Sequence, residues 1–476
     1  MKKSIIKNTA FNVFYKLLNI LFPLITSAYL ARVLGPFYIG KVAYAQNIVS
    51  YFLAIASMGI PTYGIREVAK QVSNKKKLNK VFSELFVLNA ISTFVCSFIY
   101  TTIIFFSGFF KSDLQLYVCV GLTLYMNVLN VDWFYSGNEK YAYITIRSFV
   151  IKMISLVSMV LLVKEQSDYL IYALLTSLAT TGNYVLNMVN LRGRVKFQTR
   201  NLNLKQHIKP IFILLITVLA TDLYNQIDVT MIGAWMSEEV VGYYSNGVKL
   251  VKTIYSITVA ISATIMPRMC LLYSEKRTVE FNGLLNQVME VVVLIAVPAA
   301  IGLMMVREPV VIILFGAEFM PTADIILLLA PIIIIISISY LVGSVVLTAT
   351  INERCLLVAT ISGALVNIGC NCVFIPMWGM KGAVIASLVA EIVVLIIHIF
   401  YSYKYFRLLS GSKFFLSIIA GVLGMILVVI MCYKLWGESN IGYLLSALIL
   451  GSISYFLTLY FTRNPVISKI KNILKK

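Results

Sequence analysis

Charge is scarce in this chain. Of 476 residues only 13 % are Asp, Glu, Lys or Arg, and just 20 of them are acidic. A soluble protein carries about a quarter charged residues, so most of this surface must face lipid. Histidine is nearly absent, with only His207 and His398. The seven cysteines (Cys96, Cys119, Cys270, Cys355, Cys370, Cys372 and Cys432) are scattered, mostly in apolar runs, without ligand or pairing spacing. No metal site and no disulfide framework is therefore expected. A Gly-rich phosphate loop ending in Lys-Ser/Thr is missing, so an ATP-driven pump would need a separate subunit. No stretch between apolar segments much exceeds about 20 residues. That leaves no room for the large extramembrane loop a membrane-bound glycosyltransferase or polymerase would use, and neither an enzyme nor a cofactor is expected.

Hydrophobic residues make up 60 % of the chain. Backbone amides in hydrocarbon need internal partners, which leaves helices or a closed barrel. The apolar runs are continuous and helix-length, not alternating ~10-residue segments, so helices are expected. The fold class is an all-α polytopic membrane protein with about fourteen spans. These lie near 9–33, 38–60, 81–108, 114–135, 143–163, 168–190, 209–234, 242–266, 285–306, 321–348, 355–375, 380–403, 413–434 and 441–462. The first follows Lys2, Lys3 and Lys7 but runs too long, and is too interrupted by Asn12, Lys16 and Asn19, for a cleaved signal segment.

Basic residues number 40, for a net charge of +20. In a soluble chain that balance suggests nucleic acid; beside fourteen spans it marks cytoplasmic loops. With the N-terminus inside, 29 of the 40 Lys and Arg fall in inside segments and seven in outside loops. Both termini are accordingly expected in the cytoplasm, in the bacterial cytoplasmic membrane.

A shift of 202 residues lays Gly40 over Gly242 and Arg66 over Arg268. Six spans separate the copies, so both halves share one orientation: two six-helix bundles in parallel repeat plus two C-terminal helices. The expected divisions are an N-terminal bundle at 1–195, a cytoplasmic linker at 196–208, a C-terminal bundle at 209–405, and the last two helices with a basic tail at 406–476.

An ionisable group at mid-membrane costs about 2.5–3.5 kcal/mol, so each such residue calls for a reason. Asn12, Lys16 and Asn19 share one face of the first helix. Thr217, Thr221, Asn225 and Asp228 share one face of the seventh, with Asp222 beside it, and Lys249 and Lys252 lie on the eighth. Lys152 and Glu391 also fall mid-span. Polar stripes at helical period point away from lipid, toward a shared interior. Two readings stand open: a cationic cavity flanked by ion-coupling carboxylates Asp222, Asp228 and Glu391, or ion pairs joining helices. Arg66 and Arg268 end their helices at the cytoplasmic face, as a gate or as topology determinants.

The segment Asp132-Trp133-Phe-Tyr-Ser-Gly137-Asn-Glu139-Lys-Tyr-Ala-Tyr-Ile-Thr-Ile-Arg147 resembles the signature of the Wzx-type polysaccharide repeat-unit (O-antigen or capsule) flippases. Ala31–Gly40, Gly59–Glu67, Asp228–Gly233, Glu239–Ser245 and Pro267-Arg268 are similar to the same family. The family belongs to a superfamily that also holds multidrug exporters and the lipid II flippase. The resemblance implies a V-shaped cavity of alternating access and a substrate of undecaprenyl-pyrophosphate-linked glycan, with a polysaccharide polymerase as a candidate partner. Its cationic cavity role would fall on Lys16, Lys249 and Lys252, matched by helix and charge. The lipid II flippase is the nearest alternative. A multidrug exporter of organic cations would be expected to line its cavity with acid rather than lysine.

Overall fold

The computed structural model describes residues 2–405, 411–437 and 441–468, with side chains from Phe22 onward. The expected polar residues Asn12, Lys16 and Asn19 and the end of the basic tail lie outside the described side chains. The chain divides into two compact units, residues 1–233 and 234–476. The first holds α1 (Lys2–Ser57), α2 (Ile60–Gln71), α3 (Lys75–Phe106), α4 (Leu114–Tyr125), α5 (Asp132–Gly137), α6 (Tyr141–Leu162), α7 (Tyr169–Leu191) and nearly all of α8 (Lys205–Trp235). The second holds α9 (Glu238–Thr264), α10 (Met266–Ser274), α11 (Thr278–Met305), α12 (Arg307–Leu314), α13 (Pro321–Leu329), α14 (Ile332–Ser339), α15 (Val346–Ala349), α16 (Glu353–Trp378), α17 (Met380–Ser402), α18 (Ser412–Trp436) and α19 (Ile441–Phe461).

Among the described residues, eleven helices are long and apolar enough to cross a membrane, against the fourteen spans expected. Three local effects separate the numbers. The first two spans run together as α1, joined at Gly35 (φ 71°, ψ 173°) with no intervening loop. Pro36 withholds an amide and disfavours a helical residue before it, and glycine accepts the positive φ. The fourth span is broken: α4 stops at Tyr125, a short tight turn covers Met126–Leu129, and α5 begins at Asp132. α7 is complete at 23 residues but carries Thr176, Thr180, Thr181, Asn183, Asn187 and Asn190 along its length, which lowers its apolarity. The tenth span is interrupted as well but still counts among the eleven: Pro331 separates α13 from α14, and a π-helical turn at Tyr340–Val345 precedes α15.

Large apolar side chains stand exposed around the helices, Phe94 at 74 %, Phe106 at 84 % and Leu435 at 80 % among them. A water-facing monomer would not tolerate so continuous an apolar surface, and a hydrocarbon environment requires it. Lipid tails are as apolar as leucine, so packing and interhelical hydrogen bonds hold the helices together, at about 0.6–2 kcal/mol per bond. The first unit shows several. Asn127 Nδ2 donates to Thr93 Oγ1 at 2.9 Å, and Gln46 Nε2 donates to Thr176 Oγ1 at 3.1 Å. Asn47 Nδ2 donates to Thr230 Oγ1 at 2.7 Å, tying α1 to α8. α8 therefore takes its end-anchoring partners from the first unit, although the sequence groups it with the second bundle.

Candidate functional site

The Asp132–Arg147 signature folds as α5, a tight turn and the opening of α6. Glu139 takes a positive φ of 56° in that turn. Asp132 starts α5, where a carboxylate suits the positive end of the helix. Fifteen residues later Arg147, 5 % exposed, brings Nη1 to within 3.0 Å of Asp132 Oδ1. Arg147 Nε donates to Asn183 Oδ1 at 2.9 Å, and Asn187 of α7 closes the group by contacting both Arg147 and Asp132. Tyr135 donates its hydroxyl to the Asn187 carbonyl at 2.8 Å. The Tyr143 ring lies under the guanidinium at 5.6 Å. A planar fork with five donors suits a site that must serve a carboxylate and two amides at once. The chemistry of the signature is thus a three-helix clamp of α5, α6 and α7 built on a buried Arg147 and Asn187, with Asp132 and Asn183 half-buried.

Trp133 of the same motif is 2 % exposed and stacks on Phe82, ring centroids 5.4 Å apart. Gly64 of α2 lies against that indole so closely that a Cβ there would sit 2.6 Å from Cε3. Gly137 meets α2 in the same way, a Cβ falling 2.7 Å from Val68 Cγ1. The motif glycines and tryptophan fit α2 onto α5 over a core of Ile60, Val68, Phe82, Leu85 and Phe134.

A second polar group at this end was not anticipated from the sequence. Glu84, on α3, is 0 % exposed. Its Oε1 accepts the Asn203 backbone N–H at 2.7 Å; its Oε2 accepts Gln206 Nε2 at 3.1 Å and lies 2.9 Å from His207 Nε2. The other ring nitrogen of His207 bonds the Tyr63 hydroxyl at 2.8 Å. Glu84 is the lone charge in the apolar run Val81–Leu88, and that isolation was the available signal.

The remaining expected residues distribute as follows. On α8, Asp228 is buried at 9 % exposure, Asp222 is half-buried and Asn225 is exposed, its amide donating to the Thr221 carbonyl at 2.8 Å. Asp222 and Asp228 both lie within electrostatic reach of Tyr51 on α1. α8 is the least covered of the span-length helices, with 6 % of its apolar stretch buried. In the second unit, Lys249 and Lys252 are half-buried one turn apart on α9 and both are engaged by neighbours. Glu391 on α17 is half-buried and within reach of Tyr255 on α9. Arg66 is exposed, 3.6 Å from Glu67 and over the Tyr63 ring at 5.3 Å. Arg268 is exposed on α10. Among the described residues no group of His, Cys, Asp and Glu could hold a metal ion.

Among the described residues, eleven span-length apolar helices, several of them carrying ionisable side chains, define a multi-pass membrane protein. The chain belongs to the polysaccharide biosynthesis protein family, whose sequence profile matches residues 5–272. It is a Wzx-type flippase of the multidrug, oligosaccharidyl-lipid and polysaccharide exporter superfamily. The profile of the lipid II flippase MurJ matches residues 170–452. A putative O-antigen transporter of Shigella dysenteriae is 22 % identical over 384 residues, covering 79 % of this chain and 95 % of that one. A probable low-salt glycan biosynthesis flippase of Haloferax volcanii is 23 % identical over 179 residues, 37 % of this chain and 38 % of that one. In fold, the chain is similar to the lipid II flippase MurJ in an inward closed conformation. The TM-score is 0.79 at 15 % identity, covering 96 % of this chain and 100 % of that one. An inward-facing multidrug resistance transporter of the MATE family matches with a TM-score of 0.64 at 14 % identity, over 80 % of this chain and 94 % of that one. These are transporter families, and the chain is a membrane transporter in polysaccharide biosynthesis rather than an enzyme.

Proposed function

We propose that this protein moves undecaprenyl-pyrophosphate-linked oligosaccharide repeat units from the inner to the outer leaflet of the bacterial cytoplasmic membrane by alternating access. Lys249 and Lys252 carry the proposal. Two ammonium groups one turn apart on a span-length helix are costly in hydrocarbon and suit a pyrophosphate, which takes lysine as a point-charge partner. Lys16 would contribute a further positive charge, and Asn12, Asn19 and Asn225 would offer amides to sugar hydroxyls. Asp222, Asp228 and Glu391 would couple ion movement or hold the lysines in register. Arg66 and Arg268 would stand at the cytoplasmic entrance, with both termini on that side. The bias of basic residues toward one set of loops supports this orientation. The Asp132–Arg147 clamp would keep that end of the first unit rigid while access alternates.

The direct test is Lys249→Ala with Lys252→Ala in a strain whose surface polysaccharide depends on this gene. Loss of display, with repeat units accumulating on the inner leaflet, is expected. Full display in the double variant refutes the choice of anchors. A second reading, lipid II as cargo, is favoured by the profile match over residues 170–452. Rescue of a strain depleted of its lipid II flippase would establish it.

A further inference from the structure

The segment that leaves α7 and leads into α8 does not hang free. Three of its backbone amides are accepted by consecutive polar side chains along one face of α3. Lys196 N–H donates to Asn79 Oδ1 at 3.2 Å, Gln198 N–H to Ser83 Oγ at 2.9 Å, and Asn203 N–H to Glu84 Oε1 at 2.7 Å. All three acceptors are buried, and Phe197 adds edge contacts to Phe82 and Phe86 at 5.3 and 5.1 Å. The docking lays one run of positive charge beside another. Residues 70–80 hold five basic and no acidic residues, and residues 192–209 hold six basic and no acidic residues. Lys75, Lys76, Lys77, Lys196, Arg200 and Lys205 are all exposed. The one carboxylate in the docked region, Glu84, is fully buried and consumed by the linker itself.

Loop charge that merely sets topology requires no such arrangement, and the second unit shows the contrast. Its helix-joining stretch at 266–280 carries Arg268, Lys276 and Arg277 against Glu275 and Glu280, and Arg277 is bonded to both glutamates at 2.9 and 2.6 Å. On the first-unit surface Lys70 meets Glu67 at 2.9 Å and Lys80 lies 3.9 Å from Glu84, but among the described residues Lys75, Lys76, Lys77, Lys196, Arg200 and Lys205 have no carboxylate partner. This surface lies at the ends of span-length helices, where headgroups run, and carries exposed Val72, Phe197 and Ile208 at 51, 51 and 48 %. Those apolar side chains suit the acyl boundary beside the charge.

We propose that the α3-docked linker builds a cationic platform that binds the headgroups of acidic phospholipids in the cytoplasmic leaflet. The proposal rests on the reading that this end of the first unit faces the cytoplasm. Clustered basic side chains beside membrane helices attract anionic lipid within about a Debye length. Docking fixes two such clusters side by side, so a headgroup meets charge from both.

The test is thermal unfolding of the purified full-length protein in a neutral detergent, titrated with dioctanoyl phosphatidylglycerol or dioctanoyl phosphatidylcholine. A ligand of the folded state raises the melting temperature with concentration. The phosphatidylglycerol is expected to raise it by several degrees, the phosphatidylcholine to leave it unmoved, and 0.5 M NaCl to abolish the rise. Lys75→Gln/Lys76→Gln/Lys77→Gln should raise the half-saturating concentration at least threefold. Lys276→Gln/Lys404→Gln/Lys413→Gln removes the same charge elsewhere and should leave it unchanged. Asn79→Ala/Ser83→Ala keeps every charge but loosens the linker, and should weaken binding as the first triple does. An equal response to both lipids, or equal loss in the two lysine triples, overturns the proposal. The titration reads lipid binding without transport, so its failure leaves the flippase reading standing, and failure of transport leaves it intact.

Discussion

Glu84 Oε2 and His207 Nε2 lie 2.9 Å apart although they are 123 positions apart in the chain, and both side chains are buried. Glu84 gathers an amide N–H, a glutamine amide and an imidazole around one carboxylate. Removing it leaves three polar groups of the linker and α8 without their acceptor. Leaving a buried polar group without its partner costs about 1–3 kcal/mol. Glu84→Leu should therefore lower the melting temperature of the detergent-solubilised protein sharply, with Glu84→Gln in between. A variant melting with the wild type would show that the carboxylate holds nothing.

The Asp132–Arg147 clamp predicts that charge alone will not serve. Arg147→Lys keeps the cation but cannot reach Asp132, Asn183 and Asn187 together. It should lose stability nearly as Arg147→Ala does. A double-mutant cycle with Asp132→Ala, read by thermal unfolding, should return a coupling of about 0.5–3 kcal/mol. Additive effects would mean that the two residues act separately.

At Gly64 the limit is space. A methyl group would meet the Trp133 indole at 2.6 Å, a buried ring already stacked on Phe82. Overpacking of this kind costs about 1–3 kcal/mol. Gly64→Ala should destabilise the protein by that amount, and adding Trp133→Phe should restore part of it. Gly108, with nothing near its added Cβ, is the control expected to accept alanine.

Under the proposed function, two negative charges move outward, away from a negative interior. Each is favoured by about 2.3 kcal/mol per 100 mV, so about 4–5 kcal/mol drives export. Collapsing the potential in proteoliposomes should lower the outward excess of lipid-linked glycan by about a thousandfold at equilibrium. An unchanged distribution would remove the potential as a driving force.

The lipid-facing class was legible because it depends on composition and run length, and the Gly35-Pro36 break because it depends on two adjacent residues. Near-matches at 380–403 and 441–462 against Met380–Ser402 and Ile441–Phe461 follow from apolar runs ended by polar residues or glycine. The interruption after Tyr125 was not legible, since no proline or glycine marks it; what makes it is a buried Asn127 exchanging hydrogen bonds with Asn89 and Thr93 of α3. The signature block could be located from its residues, but its use as a clamp depends on Asn183 and Asn187, which lie 36 and 40 positions from Arg147 and read as ordinary polar residues of a span. Glu84 with His207 was hidden for the same reason: a pairing made by tertiary folding leaves no period in the sequence.

The three amides bonded to Asn79, Ser83 and Glu84 also decide where this chain can be divided. A fragment ending at residue 195 would lack every one of those donors and His207, stranding a carboxylate inside its own helices. One ending at residue 235 would carry the whole network and the α8 contacts to Asn47 and Tyr51. Co-expressed halves should accumulate when cut at the later position and be degraded when cut at the earlier one.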